Sequence, residues 1–166
     1  LRDGVYAILA LNRVGRFEDA RQGLTFFLQA KAGKYRSCVW KGVDYGLKVP
    51  YRISVCRYFG LGEEESDSNQ DGPNIELDGM GLFLIAFTDY VQRSGDKRFL
   101  EQWKTVVDSE VADALLAQMA ANGLVRPDSG PWEMHLPGRQ NAYTSIVSCA
   151  GLRDYGNLTG NARYVQ

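Results

Sequence analysis

Apolar positions recur along this chain at helical intervals, in stretches separated by two long runs that keep no such period. Over residues 1–12, Val5, Ile8, Leu9 and Leu11 are spaced for a buried helix, and Gly15 ends it. Over 17–32, Ala20, Leu24, Phe27, Leu28 and Ala32 fall on one face, with Gly33 as a stop signal. The two segments predict a helical hairpin with a short turn. Residues 77–93 are apolar nearly all round, from Met80 through Phe83 and Phe87 to Val91, which predicts a helix buried on most sides. After a turn at Ser94-Gly95-Asp96, residues 97–122 predict a long helix that Gly123 caps. A further helix is predicted over 142–157, and another starts at Ala162 and reaches Gln166.

The two remaining runs read differently. Residues 34–74 are rich in Gly, Pro, Tyr and Ser. Within them, 49–57 (VPYRISVCR) alternates apolar and polar residues and predicts one short strand, while 63–71 (EEESDSNQD) predicts a polar loop. Residues 125–140 predict a Pro/Gly-rich loop that carries Trp132, Glu133 and His135. Runs this long without helix are uncommon in a compact domain and often functional. Short turns then alternate with long loops, the pattern on which an α/α toroid is built, with its site on the long-loop face. No series of apolar strands alternates with the helices, so a β/α class is disfavoured.

Composition narrows the function classes. With 19 basic and 20 acidic residues, and no Lys/Arg run longer than two, nothing resembles a phosphate-binding surface, so no nucleic-acid partner is expected. No stretch of 18 apolar residues predicts a membrane span, and residues 1–3 hold no signal-peptide pattern. Cys38, Cys56 and Cys149 are odd in number and widely spaced. They argue against a disulfide framework or a thiolate zinc site, and lean slightly toward a reducing, cytoplasmic compartment. His135 is the single histidine, which removes every scheme needing two imidazoles and gives no metal role. Nine tyrosines and three tryptophans suit a core, but such rings also pack on the apolar face of a sugar.

Several short motifs have a chemical and a plain reading. Gly130-Pro131-Trp132-Glu133 places a carboxyl beside a proline and an indole. A glycosidic acid needs an apolar wall that keeps it protonated, and these neighbours would supply one; otherwise this is a surface loop anchored by a Trp. Arg2-Asp3 would hold sugar hydroxyls in a fixed fork, or simply begin a helix, Asp3 favouring the dipole. Glu76 and Asp78, two apart, would face one side of an extended segment, and Asp78 is also a plausible N-cap. Trp103 sits at helical spacing as core, while Trp40 and Trp132 lie in loops where a sugar platform fits. Tyr35, Tyr45, Tyr51 and Tyr58 crowd the first long run, as packing or as ligand contacts.

The order of these motifs resembles glycoside hydrolase family 15, which includes glucoamylases, glucodextranases and some trehalases. Leu1-Arg2-Asp3, then Tyr6, Leu9, Gly15 and Ala20, resembles its Arg-Asp segment. Asp71-Gly72-Pro73 followed by Glu76-Leu77-Asp78-Gly79-Met80-Gly81 resembles its segment ending in Q-L-D-x-x-G. Residues 87–100 (FTDYVQRSGDKRFL) are similar to its recurrent helix, turn and G-D-x-x-F/L sequence. Ser129-Gly130-Pro131-Trp132-Glu133 resembles its W-E motif, with Tyr143-Thr144 on the helix that follows. Glu76 stands where Gln is common, and Met134-His135 replace acidic or arginine-rich continuations; both departures bear on fine specificity.

The resemblance implies an all-α fold: residues 1–166 as the N-terminal to middle part of one incomplete (α/α)6 glucoamylase-like catalytic domain, with one short β segment in a long loop. It implies inverting, exo-acting hydrolysis of α-glucosidic bonds in glucans or glucose disaccharides. Glu133 would be the general acid, with the base in the missing C-terminal part. Arg2, Asp3, Trp132, Asp78 and Trp40 would bind substrate. No metal or organic cofactor is implied. The implied partners are an oligo- or polysaccharide substrate and the remainder of the chain's own catalytic domain. Alternatively, the same fold serves as a non-catalytic carbohydrate-sensing or regulatory module, or as a helical-repeat scaffold.

Overall fold

The run of apolar residues after Leu77 forms the helix around which the others gather. A computed structural model describes residues 1–135 and 138–165, so Leu136, Pro137 and Gln166 of the predicted loop and terminal helix lie outside the described residues. The protein is mostly helical: α1 (Arg2–Arg13), α2 (Phe17–Gln29), α3 (Asp78–Ser94), α4 (Lys97–Val107), α5 (Asp113–Leu116) and α6 (Ala142–Thr159). Helix α3 is buried along nearly its whole length, as its sequence predicts, and packs against α6 most extensively, then α1 and α2.

Small residues set the α3–α6 approach. A Cβ added at Gly151 of α6 would lie 2.3 Å from the backbone oxygen of Gly81 in α3. One added at Gly81 would lie 2.8 Å from the Ser148 Cα. The two backbones touch, so neither can yield as a flexible side chain would. Gly151→Ala is therefore expected to cost about 1–3 kcal/mol through overpacking. A denaturant midpoint equal to that of the wild type would contradict this.

The faces of α1 and α2 match the sequence in part: Leu9 and Leu11 are half-buried, and α2 ends at Gln29, before Ala32 and the Gly33 expected to stop it. Val5 and Ile8 are buried in α1, and Ala20, Leu24, Phe27 and Leu28 in α2. Asn12 adds a buried amide whose Nδ2 donates to the Ala86 carbonyl of α3 at 3.3 Å. The 94–96 turn also forms, with Gly95 at φ 71° and the Asp96 carboxylate accepting from the Phe99 N–H at 3.0 Å, which caps α4.

The predicted long helix 97–122 is interrupted. A wide π turn occupies Asp108–Ala112, and regular helix ends at Leu116. At this turn Glu110 leaves the helix surface to bind elsewhere: its carbonyl accepts from the Arg52 N–H at 2.8 Å, and its carboxylate pairs with the Arg52 guanidinium at 2.7 Å. Lone π turns often mark such tertiary demands. The helix predicted from Ala162 is one 3₁₀ turn, Ala162–Tyr164.

The β content also differs from expectation. Residues 49–56 form no strand; Tyr51, Ile53, Ser54, Val55 and Cys56 are all buried, so the alternation does not mark an in-out surface. Their N–H groups find scattered partners instead of a ladder: Arg52 donates to the Glu110 carbonyl, Ser54 to the Tyr58 hydroxyl, Val55 to Glu64 and Cys56 to the Ser54 Oγ. The buried Glu64 carboxylate accepts from the N–H groups of Gly33, Lys34 and Val55 and from the Tyr51 hydroxyl, all within 3.0 Å. Three antiparallel two-stranded hairpins lie in the first long run: β1 (Val39–Trp40) with β2 (Val43–Asp44), β3 (Arg57–Phe59) with β4 (Glu63–Glu65), and β5 (Ser68–Asn69) with β6 (Gly72–Pro73). The predicted polar loop 63–71 thus supplies β4 and β5.

The two long connections meet. Ile75 and Ser129 exchange hydrogen bonds, the Ile75 N–H to the Ser129 Oγ at 3.0 Å and the Ser129 N–H to the Ile75 carbonyl at 2.8 Å. The first turn of α1 joins them, because the amino group of Leu1 donates to the Cys56 carbonyl at 3.3 Å. Polar loops from three parts of the sequence therefore share one end of the helices. Among the described residues no helix is long and apolar enough to cross a membrane.

Candidate active site

Residues 74–77 lead into α3, whose first residue is Asp78, and the side chains of Asn74, Glu76 and Asp78 bind remote partners. Leu77 already has right-handed helical backbone, so Glu76 and Asp78 do not share the extended segment expected of them. The Asn74 Nδ2 donates to the Glu133 Oε2 at 3.1 Å. The Glu76 Oε2 accepts from the Arg2 Nη2 at 2.9 Å. The Asp78 Oδ2 accepts from the Arg2 Nε at 2.9 Å, and its Oδ1 from Nη2 at 3.2 Å. Arg2 is thus held by a bidentate fork plus a third bond, the geometry at which guanidinium excels.

Asp78 is consequently not the N-cap it was expected to be. It is the first residue of α3, Leu77 precedes it without a side-chain cap, and its carboxylate turns to Arg2. The Leu77 N–H is satisfied by Asp128 instead, at 3.1 Å. The fork of Arg2 is likewise not shared with its neighbour: Asp3 is exposed and its side chain makes no hydrogen bond among the described residues. The carboxylate that partners Arg2 is that of Asp78, 76 residues along the chain.

Glu133 is near enough for its charge to act on Glu76, and it adopts a left-handed backbone, φ 53°. For a residue with a Cβ that conformation costs about 1–2 kcal/mol, a strain that functional loops often carry. The apolar wall expected from Trp132 is absent. Its indole is 79% exposed and covers little, and Glu133 is itself exposed. The tight turn 129–134, closed by the Met134 N–H donating to the Ser129 carbonyl at 3.0 Å, directs the ring outward.

His135 follows, its Nε2 3.0 Å from the Asn74 Oδ1 and its ring edge-on to Tyr45. It is a loop hydrogen-bonder, as expected. Beside it opens a cleft of about 390 Å³, lined by Tyr45, Ile75, Arg126, Asp128, Ser129 and His135 among others. Hairpin β1–β2 forms one wall through Val43 and Asp44. Trp40 sits in that hairpin, 40% exposed, with its ring near Gly72 of β6. The four crowded tyrosines divide: Tyr35, Tyr51 and Tyr58 pack, while Tyr45 reaches the cleft.

Burial governs the electrostatics. It raises Glu76 above the ordinary carboxyl value; the Cys56 thiol bond and the Arg2 charge oppose this, and the Asp78 and Glu133 charges add to it. Burial, with Glu76 nearby, pushes the Cys56 thiol up to about 12. For Arg2, burial works against the charged form, but the bonds and charges of Asp78 and then Glu76 outweigh it and raise the guanidinium further. Burial also raises Asp128, against bonds from Asn141, Leu77 and Thr144.

Glu76 has a pH consequence for stability. A carboxyl with a raised value keeps, in the folded chain, a proton that the unfolded chain has already released. Its stabilising contribution is therefore full at acid pH, and it is lost as pH rises from the ordinary 4.5 through the raised value. Glu76→Gln removes this dependence, so the variant is expected to gain on the wild type as pH rises above the ordinary 4.5. Parallel curves of denaturation midpoint against pH would contradict it.

Several of these residues carried no signal of their own in the sequence. Asn74 was legible only as the i−2 neighbour of Glu76. Cys56, Ser129, Asp128 and the Tyr6–Tyr143 hydroxyl pair, 3.0 Å apart, are joined only by folding. Among the described residues no group of three or more His, Cys, Asp or Glu side chains is placed to hold a metal ion. Comparison with protein-family models, with curated proteins and with solved structures returns no match.

Proposed function

We propose that this chain is part of an (α/α)6 toroidal catalytic domain that hydrolyses α-glucosidic bonds with inversion, acting from chain ends. One observation supports the reading: the Arg2 guanidinium and the Glu133 carboxyl, 131 positions apart, both bond to one short run, Arg2 to Glu76 and Asp78 and Glu133 to Asn74. The motif order that resembles glycoside hydrolase family 15 points to the same residues.

In this scheme Glu133 protonates the leaving glycosidic oxygen. A carboxylate from the remainder of the catalytic domain, this chain's required partner, deprotonates water on the opposite face, about 6.5–9.5 Å away. Arg2, oriented by Asp78 and Glu76, holds the terminal glucose, with Asp3 at the adjacent surface. Trp132 and Trp40, both exposed, offer rings to neighbouring sugars of an oligo- or polysaccharide. A general acid that protonates the leaving oxygen and a general base that deprotonates water need no metal or organic cofactor.

Inversion is directly observable. Proton NMR of a freshly cleaved aryl α-glucoside, whose sole sugar product is the transferred glucose, is expected to show β-glucose before mutarotation with the full-length protein. α-Glucose as the first product would remove the inverting mechanism. The exposure of Glu133 and Trp132 favours one second reading, a carbohydrate-sensing module that binds sugar through Arg2 without cleaving it. Maltose binding by calorimetry with no glucose released would select it.

A further inference from the structure

Arg2 carries five N–H donors. Nε and Nη2 are spent on Asp78 and Glu76, whereas Nη1 makes no hydrogen bond among the described residues. The side chain is 25% exposed, and Nη1 is the guanidinium nitrogen with no partner among the described residues, the donor available to a ligand. Asp78 fixes one side of the guanidinium through two bonds, and Glu76 supplies the third contact, at Nη2.

Glu76 is itself gripped from both ends. Its Oε2 accepts from Arg2 at 2.9 Å and its Oε1 from the Cys56 thiol at 3.2 Å, with its side chain only 8% exposed. The charged and titratable groups that face it are Arg2 from α1, Cys56 from the loop before β3, Asp78 from α3 and Glu133 from the loop before α6. Asp128 lies behind the run, bound to the Leu77 N–H.

Resting on the sugar-binding role given to Arg2 above, we propose that Glu76 is a positioning residue: its charge fixes the ligand-facing edge of Arg2, and loss of that charge loosens the edge and weakens substrate binding. A protonated Glu76 still touches Nη2, but a charge-assisted bond is about twice as strong as a neutral one. Asp78 alone then orients the guanidinium. Burial places the titration of Glu76 above the ordinary carboxyl range, so the grip on Arg2 tightens as pH rises through that interval.

Two readouts on the full-length protein test this in wild type, Glu76→Gln and Glu76→Asp. The first is side-chain nitrogen NMR of Arg2, which reports guanidinium rotation without any substrate. The second is KM and kcat for maltose as pH is raised from acid to neutral. In wild type, Arg2 rotation is expected to slow and KM to fall about tenfold as Glu76 loses its proton, with kcat tracking KM poorly. Glu76→Gln should hold both at their acid-side values at every pH, and Glu76→Asp should restore part of the pH dependence. Arg2 signals that match between wild type and Glu76→Gln across the range overturn the proposal, as does a KM insensitive to the Glu76 charge. Arg2 signals that shift as described in a protein that neither binds nor cleaves maltose support the positioning role and overturn the glucoside reading instead.

Discussion

Glu133→Gln is expected to lower kcat on α-glucosides by about 10²–10⁴-fold, with KM changed far less. The amide keeps the size and hydrogen-bonding shape of the acid, and its oxygen can still accept from the Asn74 Nδ2 that now holds Oε2 at 3.1 Å. What it loses is the transferable proton, which matters only in the transition state. The left-handed backbone at φ 53° is no worse for Gln than for Glu, so folding should be unaffected. Steady-state kinetics on the full-length protein decide the matter. Near-wild-type turnover would take Glu133 out of the mechanism, whereas an equal loss in stability would point to a structural role.

Arg2→Ala is expected to destabilise the fold by about 3 kcal/mol, the lower end of what removing one partner of a buried ion pair costs. The magnitude follows from what stays behind. The Asp78 side chain is 1% exposed and that of Glu76 8%, and without the guanidinium two carboxylates face each other out of water. Partial exposure of Arg2 itself, 25%, keeps the figure from the upper end. Arg2→Lys should recover only part of the loss, because an ammonium cannot reproduce the fork on Nε and Nη2. A double-mutant cycle with Asp78→Asn should show strong coupling, since the neutral amide no longer needs a counter-charge. Equilibrium denaturation measures all of these; an Arg2→Ala variant as stable as wild type would mean the fork contributes nothing net.

Helix positions were legible because burial in a helix leaves a periodic mark. The stripes of α1 and α2 and the apolar girth of α3 each follow from which residues must leave water, and local spacing records that. The predicted strand at 49–57 failed for the converse reason. Alternation at Tyr51, Ile53 and Val55 was real, but Ser54 and Cys56 are buried as well, and the N–H groups bond to Glu110, Tyr58, Glu64 and Ser54 instead of a neighbouring strand. Likewise nothing local marks the break at Asp108–Ala112, where a contact with Arg52 draws Glu110 away.

For the candidate site the division is the same. The sequence by itself determined the helices, the two long loop runs and the residue types that bear on chemistry: Arg2, Glu76, Asp78, Trp132 and Glu133. Only the tertiary structure decided their partners. It paired the fork of Arg2 with Asp78, turned Asp78 from a cap into a counter-ion, and sent the Trp132 ring outward. Periodicity is a property of neighbours in sequence. Hydrogen bonding between buried charges depends on distances that exist only after remote segments have packed, and desolvation then makes each such pairing obligatory.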